Sequence, residues 1–551
     1  VLTPLDEAAA REAVRELIDA GVESITVSLL HSYANPDHER RLRTIIDETA
    51  PDIPISLSSD ILPEFREYER TLVTVMNAYV GPSMQRYLAS FEEKLKTIQF
   101  SPHVNIVRSD GGLMSVMRAS DSPVHTMLSG PAGGVSGAAY VATLAGHGNA
   151  LGFDMGGTST DVSLIQNGEP LISRQTSLGH YPIKIPSVEV HSVGAGGGSI
   201  AHVPMTGALR VGPESAGAAP GPACYGRGGE QPTVTDANLL LGRLPPQLLD
   251  GRMVLDIKAA EEVVGKIARA LGLDLHQAAK GILDIVNENM FGALRLVSVQ
   301  KGLDPRDFAL IAFGGAGPLH GNAMAILGNC YPVIVPPTPG VLSALGFLYS
   351  DVKNEFAQTY VRNISDVDGN QLGEIYDRLG REARGWLREE GIDDQRQELN
   401  FQADVRYFRQ GYEFALQVNP DSLSNGGLSD LEARFGDAHE RLYGFRLEQP
   451  VELVNLRAVG TGGVEKVHLP SFDLEGADAS AAMVEQHRVY FDGGFVNANI
   501  YDRKSLRAGH RITGPAVVTQ ADATTVIHPG HIATVDSYLN ILISPEGGQP
   551  A

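Results

Sequence analysis

A chain of 551 residues is too long for one compact core, so two to four domains are expected. Its net charge of −22 argues against a nucleic-acid partner, which needs clustered Lys and Arg, but leaves open a nucleotide held by backbone N–H groups. Only Cys224 and Cys330 are present, which excludes a disulfide framework and disfavours a Cys-rich zinc site. No apolar run is long enough to cross a bilayer and no signal peptide is visible, so the expectation is a cytoplasmic, soluble α/β protein without a membrane partner.

The chain opens on a helix, with Thr3 able to cap it, Pro4 suited to its first position, and Asp6 and Glu7 to its first turn. Leu5, Ala9, Val14, Leu17 and Ile18 form its apolar stripe, and Gly21 ends it. A strand over 25–30, a helix over 37–49 and the strand "IPISLSS" complete a βαβ rhythm. Such a start resembles the interior of an α/β domain, and a preceding segment is expected. A long helix spans roughly 67–96, and "VNIVRSDGG" is a strand ending in a polar glycine turn. "SGPAGGVSGAAYVATLAG" is a glycine-rich entry into a small-residue helix.

Next comes "GFDMGGTSTDVSLI", a strand, a tight turn and a second strand. Asp154 and Asp161 flank Gly156, Gly157, Thr158, Ser159 and Thr160. A glycine pair between strands lets backbone N–H groups form an anion nest, and the three hydroxyls add donors. An acid ending the first strand, Asp154, can hold Mg²⁺ through water. The alternative is a two-residue hairpin whose glycines serve geometry alone. "HSVGAGGGSIA" places Gly194, Gly196, Gly197 and Gly198 where little side chain obstructs a ligand. Asp236 in "TVTDA" is a weaker candidate, since an acid at a helix start often only caps it.

Residues 256–301 are helical, and "FALIAFGGAGPLHG" is a strand, a glycine turn and a helix. Gly315, Gly317 and Gly321 mimic a dinucleotide fingerprint, but their spacing is wrong and the next strand, "YPVIV", carries no acid for a ribose. Gly314, Gly315 and Ala316 instead suit close approach of an adenosine face. Past 351 a helix over 370–392 precedes the alternating pair "FQADVRYFRQGYEFALQV", and the tail reads as a small all-β module. No P-loop, G-x-S-x-G or H-E-x-x-H occurs. His31 and His38 read as ordinary surface groups rather than metal ligands. Cys224 reads as a buried inert thiol rather than a nucleophile.

The order of hairpin, helices and strand–GG–helix matches the second half of the actin/hexokinase/Hsp70 (ribonuclease H-like) ATPase layout. The chain resembles the hydantoinase A/5-oxoprolinase family, which includes N-methylhydantoinase A subunits and acetone carboxylase β-type subunits. The stretches that carry the resemblance include "LLHSYANPDHERR", "LPEFREYERT", "SGPAGGVSGA", "GFDMGGTSTDVSL", "VGAGGGSIA", "AFGGAGPLHG" and "GPAVVTQADATTVIHPG". They span nearly the whole chain. The resemblance implies an ATPase core with a C-terminal α+β/all-β region, divided as 1–57, 58–350 and 351–551.

It also implies ATP and Mg²⁺ as cofactors, a hydantoinase B-type partner subunit in a hetero-oligomer, and a small cyclic amide or ketone as substrate. Asp154 would hold Mg²⁺ through water and Asp161 would orient the loop or a water. Gly156, Gly157, Thr158, Ser159 and Thr160 would bind phosphate. Gly196, Gly197 and Gly198 would lie near phosphate or ribose, and Gly314, Gly315 and Ala316 near adenosine. The reaction implied is ATP-dependent opening of a lactam such as a hydantoin or 5-oxoproline. Ketone carboxylation is one alternative. A non-catalytic scaffold is another, because the family's first D-x-G-G-T-x-T-D hairpin has no match in residues 1–57.

Overall fold

The computed structural model describes residues 3–100 and 104–547. They form two compact units that alternate along the chain: Val1–Ala132, Ile172–Ser187 and Ser350–Glu465 make the first, and Gly133–Leu171, Val188–Tyr349 and Lys466–Ala551 the second.

The second unit is built on a nine-stranded sheet. Eight of its strands are β1 (Ala150–Met155), β2 (Thr160–Gln166), β3 (Val190–Val193), β4 (Ala309–Phe313), β5 (Val333–Val335), β6 (Arg511–Thr513), β7 (His531–Val535) and β8 (Ile541–Pro545). Their spatial order is β3-β2-β1-β4-β5-β8-β7-β6, and the short strand Glu169–Pro170 pairs with β2. Only β1/β4 and β4/β5 are parallel. All five residues of β4 are buried, as a parallel strand covered on both faces requires.

Helix α1 (Ser129–Leu144) explains its glycines by packing. A Cβ on Gly133 would strike the Phe347 ring, and one on Gly137 would lie 2.8 Å from the Leu342 carbonyl. Two long helices, Ile257–Leu271 and Leu275–Val297, are capped by Asp256 and Asp274, and both bury one apolar face. The all-β tail divides. Met483–Phe491, Gly494–Asp502, Ala516–Thr519 and Thr524–Ile527 form a separate four-stranded sheet, whereas β6, β7 and β8 extend the central one. The tail is thus no free-standing module, because β8 pairs with β5 and buries Ile541 and Ile543.

In the first unit a six-stranded sheet runs in the order Phe414–Gln417, Gln397–Tyr407, Val451–Gly462, Val352–Asn363, Leu113–Ser115, Asn105–Val107. Helix Gly369–Glu389 contributes Leu372, Tyr376, Leu379 and Leu387 to the cores beside this sheet. The opening helix is Glu7–Asp19, and its cap is Asp6 rather than Thr3. Asp6 Oδ1 accepts from the amides of Ala8 and Ala9, three residues beyond those that a cap at Thr3 would reach. Of the expected stripe, Val14 is fully buried and Leu17 is exposed. Glu39, in "ANPDHERR", is buried and accepts from the Leu29 and Ser59 amides and the Ser58 hydroxyl. Burial pulls its pKa up, but these hydrogen bonds win and hold it low. Arg70, in "EYERT", donates to Ser58 Oγ and to the Leu29 and Glu64 carbonyls. These two motifs therefore build one buried polar hub.

Candidate active site

The hairpin β1–β2 sets the site. Its register places Asp154 opposite Asp161 and Met155 opposite Thr160, and the Gly156 amide closes the turn on the Ser159 carbonyl at 3.0 Å. The two carboxylates thus sit side by side at the mouth of a turn whose tip, Gly157 and Thr158, is exposed. Burial, and then the charge of Asp161, push the Asp154 pKa up to about 6. Asp161 Oδ1 accepts from Ser192 Oγ at 2.5 Å, from the neighbouring strand β3.

Not every hydroxyl of the turn faces out. Thr160 is fully buried, and its Oγ1 donates to the Ala195 carbonyl at 2.5 Å. Strand alternation turns its side chain inward, so its hydroxyl ties β2 to the next glycine loop and is not offered to a ligand. Gly196, Gly197 and Gly198 are buried beneath the hairpin tip. Gly197 N donates to Gly156 O at 3.0 Å and Gly198 N to Gly157 O at 2.6 Å. A Cβ on Gly196 would come within 2.8 Å of the Gly157 and Thr158 backbone. The absence of side chains here serves loop against loop; two of the three amides are spent on the hairpin, and the Gly196 amide donates to Ser199 Oγ.

The strand–GG–helix turn comes to the same place. β4 lies parallel to β1 with Phe313 opposite Asp154. Gly314 has a φ of +81°, and a Cβ there would collide with Asp154 Oδ1 and the Met155 carbonyl. Ala316 N donates to Met155 O at 2.9 Å, just before the helix Gly317–Gly328 begins. Gly315 is exposed. Asp236 caps the helix Val234–Leu240: its carboxylate accepts from the amides of Thr233 and Cys224. Cys224 is fully buried, and burial beside Asp236 drives its thiol pKa far up, so it is no nucleophile. His320, also fully enclosed, is held at about 3 by burial and is neutral; Nδ1 donates to Asn287 and Nε2 accepts from Asn238.

One neighbour is marked in the sequence only by lying in a stretch that carries the family resemblance. Asp522, in the tail stretch "TQADATT", accepts from the Gly340 amide at 2.9 Å, and its carbonyl lies 3.9 Å from where a Gly315 Cβ would be. A polar residue in a Gln-Ala-Asp turn carries no spacing signal. Among the described residues no group of three or more His, Cys, Asp or Glu could hold a metal, His31 and His38 included. No described helix is long and apolar enough to cross a membrane.

A twisted mixed sheet, a phosphate-type hairpin on its central strands and a strand–GG–helix turn beside it define an ATPase core of the actin/hexokinase/Hsp70 type. The chain belongs to the hydantoinase/oxoprolinase family. The family's N-terminal region matches residues 1–50, the hydantoinase/oxoprolinase domain 70–356 and its C-terminal domain 362–542. The caprolactamase subunit alpha of Pseudomonas jessenii is 34% identical, over 98% of this chain and 79% of its own. The acetophenone carboxylase gamma subunit of Aromatoleum aromaticum is 32% identical, over 98% and 76%. The crystal structure of the ATP-dependent caprolactamase superposes with a TM-score of 0.90 at 32% identity, covering 98% of this chain and 80% of that one. The nucleotide-free acetone carboxylase superposes at 0.75 and 28% identity, covering 98% and 79%.

Proposed function

We propose that the second unit binds Mg·ATP at the β1–β2 hairpin and that the chain is the nucleotide-using subunit of an ATP-dependent enzyme that opens a cyclic amide. The observation that carries this reading is the pair of facing carboxylates beside an exposed glycine tip and an exposed Gly315 turn. The pair also fits a hydrated divalent cation: burial and like charge make the ionised form of Asp154 costly, which a cation would relieve. With no cluster of three ligands among the described residues, that cation would keep its waters and take phosphate oxygens, as Mg²⁺ prefers.

In this reading Asp154 holds a metal-bound water. Asp161, oriented by Ser192, holds the loop or a second water. The Gly157 and Thr158 backbone and the Thr158 and Ser159 hydroxyls face phosphate, while Gly196, Gly197 and Gly198 support the tip from below. Thr160 supports it likewise. Gly314, Gly315 and Ala316, with Asp522 behind them, form the wall for the adenosine. When bound, Mg·ATP would supply a phosphoryl group to the amide oxygen, making the ring carbon open to water. A B-type subunit would complete the enzyme, in line with relatives named as subunits. The relative named as a caprolactamase supports amide opening; the relative named as an acetophenone carboxylase supports a second reading, ketone carboxylation.

The test is ADP release by the chain together with its partner subunit. Cyclic amides (5-oxoproline, hydantoin, caprolactam) are compared with acetone and acetophenone, each with and without bicarbonate. Release stimulated by an amide and indifferent to bicarbonate is expected. Release that needs both a ketone and bicarbonate would overturn lactam opening in favour of the second reading.

A further inference from the structure

The first unit holds a cavity of about 320 Å³, within the size range of small-ligand sites. Five basic side chains and four carboxylates line it, and Asp110, Glu389 and Asp404 pair with the basic groups from outside the lining. Most of the basic groups are already matched. Arg457 pairs with Glu64, Glu355 and Asp404 at 2.5–2.7 Å. Arg174 pairs with Glu355, Lys184 with Glu64, and Arg118 with Glu389. The two arginines hold Glu355 ionised, at about 2 against the pull of burial.

Arg108 is different. It is 4% exposed, and its one ion pair among the described residues is from Nε to Asp110 Oδ1 at 3.2 Å. Neither Nη atom has a hydrogen-bond partner among the described residues, and neither is sealed from the cavity. A buried guanidinium with its fork free is costly unless a ligand fills it. Beside it lies His125, whose buried Nδ1 also has no hydrogen-bond partner among the described residues. Burial, then the charge of Arg108, hold His125 neutral at about 3, so it adds no charge beside the fork. Phe356, Trp386 and Met114 form an apolar wall.

We propose that this cavity binds a small monocarboxylate with an apolar body, its carboxylate on the free Nη fork of Arg108 and its body against Trp386 and Phe356. A planar carboxylate matches the fork in two parallel hydrogen bonds. A monoanion meets less repulsion from the four lining carboxylates than a phosphate dianion would. The site is confined to the first unit and stands independently of the nucleotide reading.

Trp386 is the chain's one tryptophan, so its fluorescence reports on this cavity alone. The intact protein is titrated, without nucleotide, with hexanoate and with cyclohexanecarboxylate; 1-hexanol and inorganic phosphate at matched ionic strength serve as comparisons. A saturable emission change with the carboxylates is expected, with neither comparison reproducing it. Arg108→Gln should weaken binding by about tenfold or more. Ala357→Leu, which narrows the cavity and leaves the fork intact, should also weaken it. No saturable response to either carboxylate in the unaltered protein overturns the proposal. Equal saturation by phosphate or by hexanol overturns it too, as does wild-type affinity in a folded Arg108→Gln. Should that variant fail to fold, the unaltered protein and Ala357→Leu still decide.

Discussion

Asp154 is the residue on which the candidate active site turns. Its value of about 6 lies above the ordinary 3.8, so the folded state holds its proton more tightly than the unfolded chain does. The stabilising contribution of that proton is complete below pH 3.8 and is lost as pH rises through 6. Above that, the ionised carboxylate beside Asp161 is a cost to the nucleotide-free fold. Asp154→Asn should therefore stabilise the nucleotide-free protein at pH 8, by on the order of 1–3 kcal/mol, with the gain vanishing towards pH 4. The same variant should lose Mg·ATP-dependent turnover. Thermal melts across pH check the first outcome and ADP release the second; a variant less stable than wild type at pH 8 would refute the account of the pair. The acidic flanks of the turn were legible in the sequence because their spacing is local. The inward turn of Thr160 was not: which face a strand residue takes depends on register, and three consecutive hydroxyls look alike until β2 is paired.

Between elements, the second glycine loop is a prop for the first. Gly196→Ala would push a methyl into the Gly157–Thr158 backbone, where nothing flexible can yield. It should cost ~1–3 kcal/mol and weaken Mg·ATP binding, measured by calorimetry. Gly157→Ala meets nothing within 4 Å and should melt close to wild type. Equal melting temperatures for the two variants would remove the supporting role. Most elements could be read from periodicity and caps: the helices Asp37–Thr49 and Gly369–Glu389, the hairpin and the strand–GG–helix turn all lie where the sequence places them. The glycines of α1 read as an entry to the helix but lie within it, because their partner is a later helix at Leu342–Phe347. A packing partner roughly 200 residues away leaves no local pattern.

For the molecule as a whole, each unit is assembled from three separate stretches of chain. This is why the cavity around Arg108 and the approach of Asp522 to Gly315 were invisible in sequence. The cavity draws on residues near 60, 108–125, 174–186, 354–386 and 457, none of which forms a motif with the others. The family motifs did point to its edge, since Glu64 belongs to "LPEFREYERT", but they did not show that Arg108 would be left with a free fork.

The pairing of β5 with β8 has a consequence in time. Val335 meets Ile541, so a ribosome adding about 5–20 residues per second needs on the order of 10–40 s between making one strand and making its neighbour. For that interval the core-facing Val333, Ile334 and Val335 have an open edge, a hazard that a chaperone or a transient partner strand must cover. Nascent chains arrested before Ile541 should be cut by protease within 309–335 and should bind chaperone, and chains arrested well beyond Pro545 should resist. Equal resistance in both would mean that the edge is covered by something made earlier.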